Sequence, residues 1–198
     1  KDFSPGSRKQ RYPMYPSTTM HSIGGAYLGV SVYVFRGLED PGKLMGLAPY
    51  GRAGVVTDEM FSLSNGRVFL NYDWMAKFDR PATDKKAFDD NFQYYADIAC
   101  WAQAEIERAL LYLARHRYTL CPADTLAYAG GVALNAAANR RLKAETPFKN
   151  LYVQPAAADN GLAIGCAYYG WLEVMGREKV RHSGAVQLGR SYRDDEIQ

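Results

Sequence analysis

The sequence has few cysteines and no spacing that would pair them. Its three cysteines, Cys100, Cys121 and Cys166, include no CxxC pair, which argues against a disulfide framework and against a zinc site. Cys100 and Cys166 lie in apolar segments with helical spacing, so we expect reduced, buried thiols and a cytoplasmic protein. No secretory signal pattern is present, and the uncharged run at 12–35 holds too many prolines and polar residues to span a membrane.

A broad excess of positive charge is also missing. The formal net charge is +3, and residues 1–11 alone account for it, with four basic groups against one acidic group. Because nucleic acids are bound by basic groups spread over a surface, we do not expect nucleic acid as a partner. The content of 47% hydrophobic and 23% charged residues is ordinary for a folded soluble domain.

Two common phosphate-binding motifs are absent. The sequence contains neither the dinucleotide fingerprint GxGxxG at the end of a predicted strand nor a GxxxxGK[ST] loop. The three histidines, His21, His116 and His182, show no metal-ligand spacing and are expected to have packing or surface roles.

The hydrophobic pattern predicts several elements in the first two thirds of the chain. Residues 1–20 are rich in Ser, Pro, Lys and Arg and are expected to be an extended lead-in. From 23 onward we expect a helix with a strand nearby, since "VSVYVF" has a period closer to two. The pair Asn65-Gly66 predicts a β-hairpin at 60–72. Residues 73–90 are expected to form a loop, and 90–117 a long amphipathic helix with an apolar stripe that faces the core.

The last third predicts an α/β unit. A buried strand "TLAYA" is followed by a glycine pair, a helix at about 133–143 and a second short strand "NLYVQP". A further helix then begins with Asp159 and Asn160, which are typical capping residues. This order of strand, helix, strand and helix is typical of an α/β fold.

The glycine pair, Gly130 and Gly131, lies between a strand and a helix in "LAYAGGVALNAAANRRL" (126–142). Residues without a Cβ let the backbone approach a ligand closely, and the start of the helix offers free N–H groups to an anion. The pair serves equally well for tight turning, so spacing alone leaves both interpretations open.

Two further residues have alternative interpretations. Asp159 is either a helix cap or a carboxylate that faces a cleft, where a metal could be bound. Lys43 lies in the turn-rich "GKLMGLAPYG" and either reaches a phosphate or is a solvated lysine of a structural loop. From the sequence alone, the structural interpretation of Lys43 is favoured.

Four stretches occur in an order that resembles a known family. They are "HSIGGAY", "GKLMGLAPYG", "LAYAGGVALNAAANRRL" and "LYVQPAAADNGLAIGCAYYGW", and "LGRSYRDDEI" follows them. Together they resemble the carbamoyltransferase family of nodulation and antibiotic-tailoring enzymes. The resemblance places 21–176 in the second lobe, the carboxy-terminal part, of the transfer domain, and 177–198 in a linker toward a further carboxy-terminal domain. The first lobe and that domain would be missing from this chain.

The resemblance implies an actin-like, sugar-kinase-like fold, related to ribonuclease H, with a mixed sheet and flanking helices. It implies transfer of a carbamoyl group from carbamoyl phosphate to a small-molecule hydroxyl, through a carbamoyl-adenylate made with ATP. Matched position by position, Gly130, Gly131 and Asn135 correspond to nucleotide contacts. Gly46, together with Lys43, corresponds to a loop near the nucleotide.

By the same resemblance, Asp159 corresponds to one ligand of a divalent metal, iron or magnesium. The sequence departs from the family pattern in two respects. It has no HxxxH pair for the rest of the metal site, and Asp40, Pro41 and Gly42 replace a Gly-Glu-Tyr run. We expect the glycine pair and Asp159 to open onto one shared cavity.

Two other functions are considered. A tRNA threonylcarbamoyladenosine transferase would share the fold but would need a basic surface for tRNA, whereas residues 13–198 are formally neutral. A lobe without activity, kept for nucleotide or partner binding, is the other alternative; if it were kept for partner binding alone, it would have no physical reason to retain Gly130, Gly131, Asn135 and Asp159.

Overall fold

The computed structural model describes residues 22–36, 40–71, 74, 77–180, 189–190 and 192–196. The expected lead-in at 1–20, His21 and His182 lie outside the described residues. The helices are α1 (Ile23–Phe35), α2 (Pro41–Leu47), α3 (Lys85–Asp90), α4 (Phe92–Leu120), α5 (Ala136–Glu145) and α6 (Leu162–Tyr169). The strands are β1 (Phe61–Ser64), β2 (Arg67–Leu70), β3 (Thr125–Tyr128) and β4 (Asn150–Val153).

Helix α4 is the centre of the molecule. It has 29 residues, and its apolar side is buried against α1, α2, α5 and the β1–β2 hairpin. Along this side Ile98, Ala102 and Ala109 are fully buried, at the three- and four-residue spacing that one helix face requires. The predicted long amphipathic helix is therefore confirmed.

Helix α1 continues through the segment in which a strand was expected. It runs without interruption to Phe35 and begins at Ser22, whose side-chain oxygen accepts a 3.0 Å hydrogen bond from the N–H of Gly25. Val30, Ser31 and Val34 are fully buried. A helix buried on most sides shows no polar face, so its β-branched residues imitate the pattern of a strand, and tertiary packing overrides propensity. The prediction of a strand here is wrong.

The two sheets are small and separate, so the described residues do not form one mixed sheet. Strands β1 and β2 pair antiparallel around Asn65 and Gly66, both at positive φ, which confirms the predicted hairpin. Strands β3 and β4 pair parallel, in a register that places Thr125 opposite Asn150 and Tyr128 opposite Val153. Since α5 connects β3 and β4, this part is the expected α/β unit.

Two further expectations are corrected. Within 73–90, residues 85–90 form the short helix α3, because the side chain of Asp84 caps it by accepting a 2.8 Å hydrogen bond from the N–H of Ala87. All three cysteines are free, but Cys121 and Cys166 are exposed and Cys100 is only partly buried. Cys166 is exposed because α6, which carries it, buries none of its residues.

Helix α6 is apolar on all sides and nevertheless exposed. Its large hydrophobic side chains, and those of the turn that continues it to Val174, lie at the surface. Among the described residues, no helix combines the length and the apolar character that crossing a membrane requires.

Candidate functional site

A cavity of about 1060 Å³ lies at the carboxyl ends of β3 and β4. Parallel strands present their carboxyl ends at one edge of a sheet, and ligands of α/β proteins bind outside that edge. The loops after the two strands supply one wall, and the beginnings of α1 and α2 supply the other. The principal lining residues are Ser22, Tyr27, Leu28, Gly42, Met45, Gly131, Val132, Leu134, Asn135, Pro155, Asp159 and Asn160.

The structure brings three of the predicted site residues to this cavity. Gly131, Asn135 and Asp159 all line it, as expected for the glycine turn and the carboxylate from the sequence. Lys43 and Gly46 are not among the lining residues, although Gly42 and Met45 of the same helix are. Lys43 forms a 2.6 Å ion pair with Asp40.

The two glycines of the pair have different surroundings. Gly130 has φ 105° and ψ 163°, a backbone conformation that only glycine adopts readily. Its N–H donates a 2.7 Å hydrogen bond to the carbonyl oxygen of Ala157. A Cβ added at Gly131 would meet no atom within 4 Å. Gly130 therefore has a structural role in the turn, whereas Gly131 leaves open space at the cavity wall.

Asn135 ends the short turn Gly131–Leu134 and caps helix α5. Its side-chain oxygen accepts a 3.0 Å hydrogen bond from the N–H of Ala138. The residue is only 7% exposed, and its amide forms two 3.0 Å hydrogen bonds with the amide of Gln103, one in each direction. Because the amide is held at both ends, the position of Asn135 in the cavity wall is fixed by its neighbours.

Gln103, Tyr27 and Glu107 extend this polar cluster, and the sequence-based interpretation missed all three. The Tyr27 hydroxyl donates a 2.8 Å hydrogen bond to Gln103 Oε1, and Gln103 Nε2 donates a 2.7 Å hydrogen bond to Glu107 Oε1. Burial raises the pKa of Tyr27 above its ordinary value, and the charge of Glu107 raises it further. The phenol is therefore a neutral donor at physiological pH. The sequence contains one signal of this cluster. Gln103 is a polar residue on the apolar face of α4, four residues after Ala99 and three before Ile106.

Asp159 is exposed and begins a short turn before α6. The interpretation of Asp159 as a helix cap is wrong, because its side chain makes no capping hydrogen bond and the residue before α6 is Gly161. Gly161 is packed closely here, since an added Cβ would lie 2.1 Å from the carbonyl oxygen of Ala156. The close packing of this turn holds the Asp159 backbone at the cavity.

The described residues do not form a metal site by themselves. Among them, no group of three His, Cys, Asp or Glu side chains is close enough to hold an ion. At the cavity, Asp159 is the one charged side chain of the lining residues, and protein sites for divalent ions need several such ligands. Asp159 can therefore supply at most one ligand of a site that other groups would complete.

Four of the described helices begin at the cavity. Ser22 caps α1, α2 begins at Pro41, Asn135 caps α5, and α6 follows the turn Asp159–Gly161. Free N–H groups and the positive end of the helix dipole favour an anion at such a position. No lysine or arginine is among the described residues that line the cavity, so the helix starts are the feature of this lining that favours an anion.

Comparison with known proteins gives the family. A family model described as "Carbamoyltransferase N-terminus" matches residues 7–168. The chain belongs to the carbamoyltransferase family. The match is to the N-terminal region of that family, which corrects in part the description of the chain as a carboxy-terminal part. The assignment of 21–176 to a second lobe stays a prediction.

Similar proteins occur in several bacteria. The chain is 33% identical to the uncharacterized protein sll1178 of Synechocystis sp., with 98% of the chain and 35% of that protein covered. It is 32% identical to the nodulation protein NolNO of Sinorhizobium fredii (82% and 25%). It is 31% identical to the nodulation protein NolO of Bradyrhizobium diazoefficiens (74% and 28%). The chain thus spans between a quarter and about a third of the length of these three proteins.

Proposed function

We propose that the chain is part of an O-carbamoyltransferase that uses carbamoyl phosphate and ATP to carbamoylate a hydroxyl group. The proposal rests on family membership together with one observation, the placement of Gly131, Asn135 and Asp159 around one cavity. We further propose that the parallel β3–α5–β4 unit is part of an actin-like fold, which the described residues represent only in part.

The cavity is suited to an adenylate. The starts of α1, α5 and α6 provide N–H groups for a phosphate group, and Gly131 permits close approach of the backbone. Leu28, Met45 and Val132 form an apolar wall, which suits a flat, weakly polar ring. Lys43 and Gly46 remain predicted nucleotide contacts and would need a ligand that extends past the cavity.

The proposed chemistry has two steps. Carbamoyl phosphate, ATP and water give carbamoyl-AMP, pyrophosphate and phosphate. The acceptor oxygen then forms a bond to the carbamoyl carbon while the bond from that carbon to the AMP phosphate oxygen breaks. AMP leaves with the electron pair, and the hydroxyl proton passes to solvent. Residues at the glycine turn would hold the adenylate in place, since positioning and fixed donors account for much of the rate of such transfers.

Asp159 needs a partner at such a site, because an exposed carboxylate repels a phosphate across the same cavity. We propose that Asp159 either accepts a hydrogen bond from the ligand or is one ligand of a divalent metal, iron or magnesium. A metal bound there would neutralise phosphate charge, with its other ligands supplied from outside the described residues.

The test is a transfer assay on the complete polypeptide expressed from its gene. Radiolabelled carbamoyl phosphate, ATP, magnesium or iron(II), and a panel of hydroxyl compounds are supplied. We expect label in one acceptor class and AMP formed in equal amount. A parallel reaction supplies threonylcarbamoyl-AMP and tRNA. Threonylcarbamoyl-adenosine formed there, without label in any hydroxyl compound, would favour the tRNA-modifying enzyme, and nucleotide binding without transfer in either reaction would favour a lobe without activity.

A further inference from the structure

Gln103 uses every hydrogen-bonding position of its amide. Nε2 donates to Glu107 Oε1 at 2.7 Å and to Asn135 Oδ1 at 3.0 Å. Oε1 accepts from the Tyr27 hydroxyl at 2.8 Å and from Asn135 Nδ2 at 3.0 Å. The residue is 7% exposed. A buried amide with two donors and two acceptors all paired is held rigidly, because losing any partner leaves a buried polar group unsatisfied.

Glu107 determines which way the Gln103 amide points. An ionised carboxylate can only accept hydrogen bonds, so the Gln103 NH₂ group must face Glu107 and the carbonyl oxygen must face Tyr27. Arg141 of α5 holds the other oxygen of Glu107, with a 3.0 Å bond from Nη1 to Oε2. The ion pair between Glu107 of α4 and Arg141 of α5 therefore fixes the orientation of the buried Gln103 amide.

The orientation of Gln103 in turn orients Asn135. Because Gln103 Nε2 donates to Asn135 Oδ1, that oxygen faces both Gln103 and the N–H of Ala138. The side chain is thereby locked in one amide orientation at the end of the turn Gly131–Leu134. Any rotation of the Gln103 amide would place two donors or two acceptors against each other.

We infer that Gln103 is a positioning residue for carbamoyl transfer, which holds Asn135 and the adjoining glycine turn in the geometry that receives the ligand. This inference rests on the proposed function and deepens it. Gln103 does not line the cavity, and it acts through Asn135.

The test replaces Gln103 by a residue of the same shape that cannot donate. In the Gln103→Glu variant two carboxylates face each other at the present 2.7 Å contact, and they cannot both be ionised without strong repulsion. The other polar groups that face this position are Tyr27 from α1, Asn135 at the start of α5 and Arg141 of α5. One proton shared by the two carboxylates relieves this repulsion in acid, but it leaves Asn135 Oδ1 without the donor that Gln103 Nε2 provides.

We expect the complete polypeptide with Gln103→Glu to show kcat lowered about tenfold at pH 8 and still lowered at pH 6, because Asn135 Oδ1 lacks its donor at both pH values. The KM for ATP should change less than kcat. In the double variant Gln103→Glu, Glu107→Gln, the donor and acceptor of the contact within α4 are exchanged, so the repulsion is removed while Asn135 Oδ1 still faces a carboxylate. We expect the double variant to be more stable than the single variant but to keep the lowered kcat.

Gln93→Glu is the control. Gln93 lies on the same helix and donates a 2.8 Å hydrogen bond to Asp97 four residues later, as Gln103 does to Glu107, but it is exposed and makes no contact with Asn135. The variant places a carboxylate against Asp97 beside Arg52, so its kcat should match the wild type at each pH. If the single variant does not fold, the double variant decides: a kcat lowered about tenfold in a folded double variant supports the inference, and a kcat equal to that of the wild type overturns it.

Failure of the proposed function and failure of the inference about Gln103 give different results. If the wild type transfers no carbamoyl group, the proposed function fails and the inference falls with it. An active wild type with a Gln103→Glu variant of equal kcat at every pH overturns the inference alone. Equal loss of kcat and melting temperature in the Gln103 and Gln93 variants also overturns it, because the effect would then be general destabilisation of α4.

Discussion

The N–H of Gly130 donates a 2.7 Å hydrogen bond to the carbonyl oxygen of Ala157, and this bond joins the loops that follow β3 and β4. It brings the glycine turn next to the segment that carries Asp159. The two loops are 27 residues apart in the chain, counted from Gly130 to Ala157, so their proximity comes from the parallel pairing of β3 and β4.

The two glycines of the pair should respond differently to alanine. Gly130→Ala places a Cβ on a backbone with φ 105° and should lower the free energy of unfolding by about 1–3 kcal/mol. Gly131→Ala meets no atom within 4 Å, so stability should stay within about 0.5 kcal/mol of the wild type. Its new methyl group points into the space where a ligand is proposed, so carbamoyl transfer should fall at least about tenfold. Urea denaturation and the transfer assay measure both effects.

Full transfer activity of Gly131→Ala would remove the glycine turn from the ligand site. Gly46→Ala tests the other predicted contact, because an added Cβ there also meets no atom although Gly46 does not line the cavity. Since Gly46 lies within helix α2, this change should raise stability by about 0.5–1 kcal/mol. A selective loss of nucleotide affinity in Gly46→Ala would support the nucleotide contact that the resemblance implies.

Asp159→Ala should abolish carbamoyl transfer in the complete polypeptide while the protein stays folded. The side chain is exposed and makes no capping hydrogen bond, so its removal should change the free energy of unfolding by less than about 0.5 kcal/mol. Asp124→Ala is the control, since Asp124 is also exposed and its carboxylate pairs with Lys149 at the surface. Circular dichroism and the transfer assay are compared. Retained activity in Asp159→Ala would exclude this carboxylate from the mechanism.

The sequence predicted those parts of the structure that depend on local patterns. The hairpin followed from Asn65-Gly66, and α4 from an apolar stripe, because backbone preference and helical spacing are properties of short segments. The shared cavity was also expected, since parallel strands align their carboxyl ends.

Other parts depend on contacts between distant residues. Tyr27, Gln103 and Asn135 meet although 76 and 32 residues separate Gln103 from the other two, and no local pattern encodes such a cluster. The strand expected in α1 and the burial expected for Cys166 were wrong for a related reason. In both cases the apolar pattern was clear, but which faces are covered depends on the neighbouring elements.

Stability should fall in acid because of Asp97. Hydrogen bonds from the side chain of Arg52 lower the pKa of this buried carboxyl to about 2, below its ordinary value. A carboxyl whose pKa is lower in the folded state stabilises the fold above its unfolded pKa, which is about 4. This stabilisation is lost as the pH falls toward 2. The contribution should be of order 1 kcal/mol, because Arg52 is exposed and screened by solvent.

Asp97→Asn tests this contribution. The variant should be less stable than the wild type at pH 7, and the difference between them should shrink between about pH 4 and pH 2. Urea denaturation at a series of pH values measures it. A constant difference over that range would show that the Arg52 contact does not depend on the charge of Asp97.

The exposed apolar surface of α6 and the following turn should make the isolated chain self-associate. Leu162 is 67% exposed and Val174 is 72% exposed, in a helical segment that buries no residue. Contiguous apolar surface of this kind favours association in water. Sedimentation velocity should show concentration-dependent oligomers, and the pair Leu162→Lys and Val174→Lys should reduce them. Val55→Lys is the control, because Val55 is 53% exposed but stands outside this surface and should leave association unchanged. A monomeric wild-type chain at about 100 μM, where weak association would show, would contradict the prediction.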